Sequence, residues 1–476
     1  MPTFTTLHRF TIDHVRWLRC LRYAAFAALA IAALVYLEWE QGLAQRDANS
    51  SRIRLGRRLF NDDRFNSANG DLPSSCSSCH MFDENAQGPR AYTDFLARSW
   101  VPWRSKDPRR DGVRNAPTLL DAGDLPFLHY DGEFASLEEL VRGTLSGRTM
   151  GWMPDERTEA LNQVCRVLRN DTGTGPKADG TYVEQFRNVY GVDLKRLPPD
   201  EIIRLASSAI ADYVRTLKTK RNSPYDRFVS SNGLEVEPAR GESSEVFAAR
   251  MMARVTALEA ERQLKFVPGF GLAALEGMKI FFRSEGQNSV GSCVSCHAPP
   301  RFTDYSFHNI GISQSDCDKV HGEGTFAAKS IPGAKAVRPQ TQFRETPSLN
   351  KPDNVDLGYW SFVSLTDSPL RRPGESDDQF LQRMIGTFKT PTLRNLALSE
   401  PYMHNGNYAS LESVLTELMR LSSLARAGKV RSADDGLSKI RITEADVHPL
   451  LAFLDSLNES LKGAYPLPVT RNRRPF

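Results

Sequence analysis

The sequence predicts an all-α protein in which one structural plan is written twice behind a basic and then apolar N-terminal segment. Three observations predict it. The pentapeptide Cys-x-x-Cys-His occurs at Cys76–His80 and again at Cys293–His297. The residues that follow each copy match one another over a long stretch, and repetition at this scale has to be settled before any fold is assigned. Apolar residues recur at helical spacing before and after each copy, while strand signals are few and Pro and Gly crowd the segments between.

The first element is the N-terminal segment, residues 1–48. Arg9, Arg16, Arg19 and Arg22 precede an apolar run from Tyr23 to Leu37, which Glu38 and Glu40 close. That order of charge and apolarity marks a signal peptide or a short anchor whose positive side stays in the cytoplasm. The run is short for a spanning helix, although Trp39 extends it, and Gly42-Leu43-Ala44 offers a small-residue cleavage site. Either way the rest of the chain is expected in the periplasm, tethered to the inner membrane if the segment is kept. The net charge of +4 over 476 residues is small and spread among acidic residues, so nucleic acid is not an expected partner.

The two pentapeptides come next. Two thiols about one helical turn apart can each add to a vinyl group of one porphyrin, and the histidine that follows presents its imidazole to the iron. Cys76, Cys79 and His80 therefore form one expected haem c attachment site, and Cys293, Cys296 and His297 a second, with His80 and His297 as iron ligands. A structural zinc site would leave the histidine after each pair unexplained, and a redox dithiol would need a thioredoxin-like pattern that the neighbouring sequence lacks. Cys20, Cys165 and Cys317 stand outside the pairs; a disulfide is open to Cys165 and Cys317, with partners that spacing cannot assign.

Around each site the chain repeats. Leu55-Gly-Arg-Arg-Leu-Phe60 precedes the first and Leu275-Glu-Gly-Met-Lys-Ile-Phe-Phe282 the second. RNAPTLLDAGDLPFLHYDGEFASLEEL, from Arg114 to Leu140, follows the first, and KTPTLRNLALSEPYMHNGNYASLESVL, from Lys389 to Leu415, the second. Each half closes on an apolar-periodic helix, over Ile210–Leu217 and Leu450–Leu457, the latter with Thr443 and Asp446 as a capping box. Each half thus has a cytochrome c-like plan of helix, haem loop, irregular segment and closing helix, over residues 49–230 and 269–476. Residues 231–268 have no counterpart in the first half and are expected to form a linker with an inserted, solvated helix over Glu242–Arg262.

With these stretches quoted, together with CVSCHAPPRFTDYSFHNIG, the chain resembles the bacterial di-haem cytochrome c peroxidase and MauG-like family over nearly everything after residue 48. The resemblance implies a reactive first haem and an electron-relay second haem. In the peroxidases, hydrogen peroxide is cleaved at the first and the second takes electrons from a small cytochrome c or cupredoxin. In MauG-like proteins the two haems jointly oxidise a partner protein. It also implies a calcium ion between the halves, held by Asn115 and the carbonyls of Ser399 and Pro401; calcium favours such oxygen ligands.

The sequence departs from that family in four places. No histidine lies between His80 and His129 to cap the first haem, which is therefore expected to be open to peroxide. Leu140 and Met150 occupy the positions of a proton-handling Gln and Glu; Glu138, Glu139, Arg148 and Thr149 are the nearby polar candidates, of which Arg148 suits a developing oxyanion and Glu139 a proton transfer. Tyr130 stands for the interhaem Trp, with His404 as its partner in the repeat. The distal-ligand position of the second haem falls on Leu418, beside Met419, which can ligate only if the helix start has shifted; Met403 is the reserve. His308 belongs to the surroundings of the second haem or caps a turn. The expected activity is peroxide reduction, with substrate oxidation of the MauG-like kind and a non-catalytic electron carrier as alternatives.

Overall fold

The computed structural model describes residues 49–67, 75–80, 114–174, 180–286 and 288–459. The N-terminal segment with Cys20 and the Gly42–Ala44 cleavage site lies outside them. No helix among the described residues is long and apolar enough to cross a membrane.

The molecule is helical, as expected. The first half runs through α1 (49–60), a single turn α2 (Cys76–Cys79), α3 (Leu137–Leu145), α4 (Arg157–Asn170), α5 (Tyr182–Tyr190) and α6 (Pro199–Arg215). The second comprises α7 (Pro224–Ser231), α8 (Ser244–Ala260), α9 (Leu272–Phe282), α10 (Ile312–His321), α11 (Thr325–Ala328), α12 (Asp377–Arg383), α13 (Leu411–Arg426), α14 (Asp435–Lys439) and α15 (Glu444–Asp455). Local chemistry sets the ends. Ser136 and Ser410 cap α3 and α13 at equivalent places, each accepting from the backbone N–H three residues on. The predicted Thr443–Asp446 capping box is present, with Asp446 accepting from the Thr443 N–H at 2.7 Å.

The repeat is visible in how helices cross. α1 lies so close to α6 that a Cβ on Gly56 would sit 1.9 Å from the Ala209 carbonyl oxygen; α9 meets α15 in the same way, with Gly277 against the Pro449 carbonyl at 1.9 Å. Rings flank both crossings, Phe60 with Tyr213 at 5.4 Å and Phe281 with Phe453 at 4.9 Å. Each half buries its own apolar cluster, one built on Leu55, Phe60, Phe186 and Ile210, the other on Phe228, Met278, Phe281 and Phe453.

The inserted helix is present as α8, but it is no solvated spacer: Phe247, Ala248, Met251, Val255 and Leu258 recur at helical spacing and are buried in the second half's core. A further cluster around Phe307, Cys317, Trp360 and Phe380 fills the long segment between the second pentapeptide and α13. There β1 (Phe307–His308) pairs antiparallel with β2 (Phe388–Lys389).

The halves meet through a reciprocal exchange. The Asn115 N–H donates to the His404 carbonyl at 2.7 Å, and the Lys389 N–H donates to the Tyr130 carbonyl at 2.8 Å. Lys389 and His404 are the second-half counterparts of Asn115 and Tyr130 in the repeat, so the contact is pseudo-two-fold. The turns on either side match too, with bridges between Leu128 and Phe134 and between Tyr402 and Tyr408.

Candidate functional site

Both pentapeptides fold into tight turns of the same kind. The His80 N–H donates to the Cys76 carbonyl at 2.9 Å and the His297 N–H to the Cys293 carbonyl at 2.8 Å, which places each imidazole one turn from its first thiol. The His297 Nδ1 is held by the Phe302 carbonyl at 3.0 Å, leaving Nε2 as the ligating nitrogen. The His80 Nδ1 is buried without a hydrogen-bond partner. Burial pushes the His80 ring down to about 4, with the nearby charge of His129 adding to the effect, and burial also lowers His297. Both rings are thus held neutral, the form that binds a metal. Burial raises the Cys76 and Cys293 thiols to about 12, so each stays protonated until its sulfur is alkylated. These donors fit a covalently held haem at each turn.

Beside the second turn lies a cavity of about 320 Å³, lined by Cys293, Cys296 and His297 and by the α13 side chains Leu411, Val414, Leu415 and Leu418. Met419, the expected ligand, is not among the lining residues. It packs against the α9–α15 core, because one step along a helix turns a side chain by about 100° and the helix starts where Ser410 caps it, without a shift. Met403 does line the cavity. His308 lines it as well, with Nε2 2.8 Å from Asp304 and Nδ1 2.7 Å from Asp434. Burial opposes a charge on this ring, yet the two carboxylates push it up to about 12, so it is a fixed imidazolium rather than a turn cap.

Between the two turns the structure brings Tyr130 and His404 together. Their rings meet edge to face at 6.5 Å, and the His404 ring stacks on Phe388 at 3.6 Å. Burial raises the Tyr130 phenol and lowers His404 to about 4. Around them runs an ion-pair network that sequence reasoning missed. Arg114 grips Asp356 through Nε at 2.7 Å and Nη2 at 2.8 Å and also binds Asp131, while Arg344 holds Glu133 at 2.8 Å. Burial works against the charge on Asp356, but Arg114 outweighs it and holds the carboxyl at about 2. Arg114 and Asp131 stood in the repeat, but Asp356 lies in a segment that carried no motif.

Of the residues expected at the first haem, Arg148 is half-buried in a short turn, Arg148–Met150, that follows α3. The turn is stitched to the chain leading into Cys76: the Ser67 N–H donates to the Met150 carbonyl at 2.9 Å and the Trp152 indole to the Phe65 carbonyl at 3.1 Å. Glu139 is not brought to this site. α3 buries Leu137, Val141 and Leu145, and Glu139 points from the opposite face into solvent, while Glu138 pairs with Arg215 at 2.8 Å. Leu140 and Met150 are apolar and packed in the first core.

Asn115 is 4 % exposed, and its Oδ1 is buried without a partner while its Nδ2 faces the carbonyls of Pro401 and Met403. Ser399 turns its N–H and hydroxyl back to the Leu396 carbonyl. Cys165 and Cys317 are free thiols buried in different clusters and do not pair with one another.

Two cysteine–cysteine–histidine turns on either side of one pseudo-two-fold interface define a di-haem c-type protein. Residues 50–233 match the family described as di-haem cytochrome c peroxidase. The chain is 23 % identical to cytochrome-c peroxidase IdrP2 of Denitromonas iodatirespirans, over 91 % of this chain and 89 % of that protein, and 24 % identical to the methylamine utilization protein MauG of Methylorubrum extorquens, over 85 % and 78 %. The crystal structure of the diheme peroxidase BthA from Burkholderia thailandensis shares the fold, with a TM-score of 0.52 at 20 % identity over 88 % of each chain. These likenesses set the chain beside the di-haem cytochrome c peroxidases and MauG-like proteins, a class that implies two c-type haems.

Proposed function

We propose that this protein is a di-haem peroxidase that reduces hydrogen peroxide with electrons from a small periplasmic cytochrome c or cupredoxin, working at the inner-membrane face where its N-terminal segment directs it. The observation that carries this reading is the meeting of Tyr130 and His404 between the two turns, which gives a buried route from one half to the other. When bound, the haems supply the O–O cleavage and the electron storage.

The chain's own residues do the rest. His80 and His297 would hold the irons, and Tyr130 relays electrons across the interface. Its phenol loses a proton when oxidised, and burial disfavours the phenolate ahead of that oxidation. Arg148 supplies a fixed positive charge near the first site, suited to an oxygen that gains negative charge. Calcium at Asn115, with the carbonyls of Ser399 and Pro401, is part of the reading; the buried, unpartnered Oδ1 supports it, as does the Pro401 carbonyl beside the same amide.

One observation favours the MauG-like alternative. Leu140 and Met150 are apolar and Glu139 faces solvent, so none of these three positions supplies a carboxylate to move a proton between the peroxide oxygens. Slow peroxide turnover with retained oxidising power would suit oxidation of an organic or protein substrate.

The test is steady-state oxidation of reduced cytochrome c by the haem-loaded protein on adding peroxide. Sustained turnover, lost in Tyr130→Phe with haem content intact, is expected. Prompt consumption of one equivalent of peroxide with no cytochrome oxidation would replace the peroxidase with the substrate-oxidising reading.

A further inference from the structure

The cavity beside Cys293–His297 separates two walls that belong to different clusters. Cys293 packs with the α9–α15 core, whereas Met403, Val414 and Leu418 pack with a cluster around Ile312, Tyr408 and Leu421. α13 turns Leu411, Val414, Leu415 and Leu418 towards the cavity, at helical spacing, and an aliphatic side chain has no lone pair to give a metal. Several polar groups of the lining are turned to the protein itself. Both nitrogens of His308 face carboxylates, the Lys389 ammonium donates to the Phe127 carbonyl at 2.9 Å, the Tyr402 hydroxyl donates to the Leu396 carbonyl at 3.0 Å, and His404 lies flat on Phe388.

We propose that the second haem has no side-chain ligand opposite His297, and that the face against Leu418 is a binding site for small uncharged diatomic ligands such as carbon monoxide, nitric oxide or dioxygen. This inference rests on the reading that Cys293–His297 carries a haem. An aliphatic wall excludes charged ligands and offers no hydrogen bond, so it selects by size and polarity, which is how a distal pocket decides what an iron binds. The second haem then takes part in ligand chemistry as well as electron relay. The thioether of Met403 is the rival donor.

The experiment uses the full chain matured with haem, with the haem counted first as the pyridine complex. The reduced protein is then titrated with carbon monoxide, alongside Leu418→His and Met403→Leu. Leu418→His, which places an imidazole on the cavity wall, should bind one carbon monoxide fewer per chain than the unaltered protein. Equal stoichiometry in the two would overturn the proposal, as would a thioether-to-iron absorption band in the unaltered protein that Met403→Leu abolishes. A count of one haem, with Cys293 and Cys296 still titrating as thiols, would sink the underlying reading instead, and the two failures are told apart before any gas is added.

Discussion

At the interface the first half presents Asn115 where the second half presents Lys389, and the two side chains do equivalent things with different means. Asn115 directs its amide at the carbonyl of Pro401, and Lys389 directs its ammonium at the carbonyl of Phe127, the residue equivalent to Pro401 in the repeat. The second half therefore carries its own covalently attached cation into the interface. The first half carries a neutral amide whose buried oxygen has no protein partner, the setting in which calcium is proposed. A duplicated unit has kept the acceptor carbonyls on both sides and diverged in how their charge is met.

The comparison breaks most violently at Arg114, which serves both halves. Arg114→Ala leaves Asp356, and to a lesser degree Asp131, as buried carboxylates stripped of their main counter-charge; of the two, Asp131 alone keeps a second arginine, Arg344 at 3.3 Å. Removing one partner of such a buried pair costs about 3–5 kcal/mol. Denaturant unfolding should show that loss, together with a separation of the single transition into two as the halves uncouple. A loss below about 1 kcal/mol would mean that the network does not join them.

The Asn115 side should respond to calcium and the Lys389 side to pH. Calcium held at a hundredfold excess over its dissociation constant stabilises by about 2.7 kcal/mol, so adding a chelator should lower the melting temperature of the unaltered protein and leave Asn115→Ala unchanged. An identical chelator effect in both would remove Asn115 from the calcium site.

For Lys389, burial lowers the ammonium to about 8, with Asp131 opposing. Unfolded lysine titrates near 10.4, so between about pH 8 and 10.4 the unfolded chain binds more protons than the folded one. Stability relative to Lys389→Met should then rise with pH through that window, by up to about 1.4 kcal/mol per unit, and be flat below it. A falling difference would show that the folded protein holds this lysine charged.

Much of this is legible in the sequence. The pentapeptides, the paired glycine-bearing helices and the Tyr130–His404 correspondence all follow from short-range pattern, because haem attachment and helix crossing are local requirements. What sequence missed depends on long-range packing. Asp356 reaches Arg114 from a segment with no motif. α8 looked like a charged spacer because its buried face alternates with exposed charges inside one helix, and only its docking on the second core shows which face is inside. The choice between Leu418 and Met419 turned on helix phase, which the Ser410 cap fixes.

The smallest expected effect belongs to Glu139. In the first half α3 buries Leu137, Val141 and Leu145, and in the second α13 sets the equivalent Leu411 and Leu415 against its cavity, so both helices keep one phase. A residue two positions after Leu137 is turned by about 200°, away from the core. Glu139→Gln should therefore change kcat/KM for peroxide by less than about twofold, as for an ordinary surface substitution. Arg148→Met, in the turn tied to the approach of the first site, should reduce it further with haem content unchanged. A tenfold fall for Glu139→Gln would mean that α3 presents its other face to the haem, and the shared phase of the two halves would be lost with it.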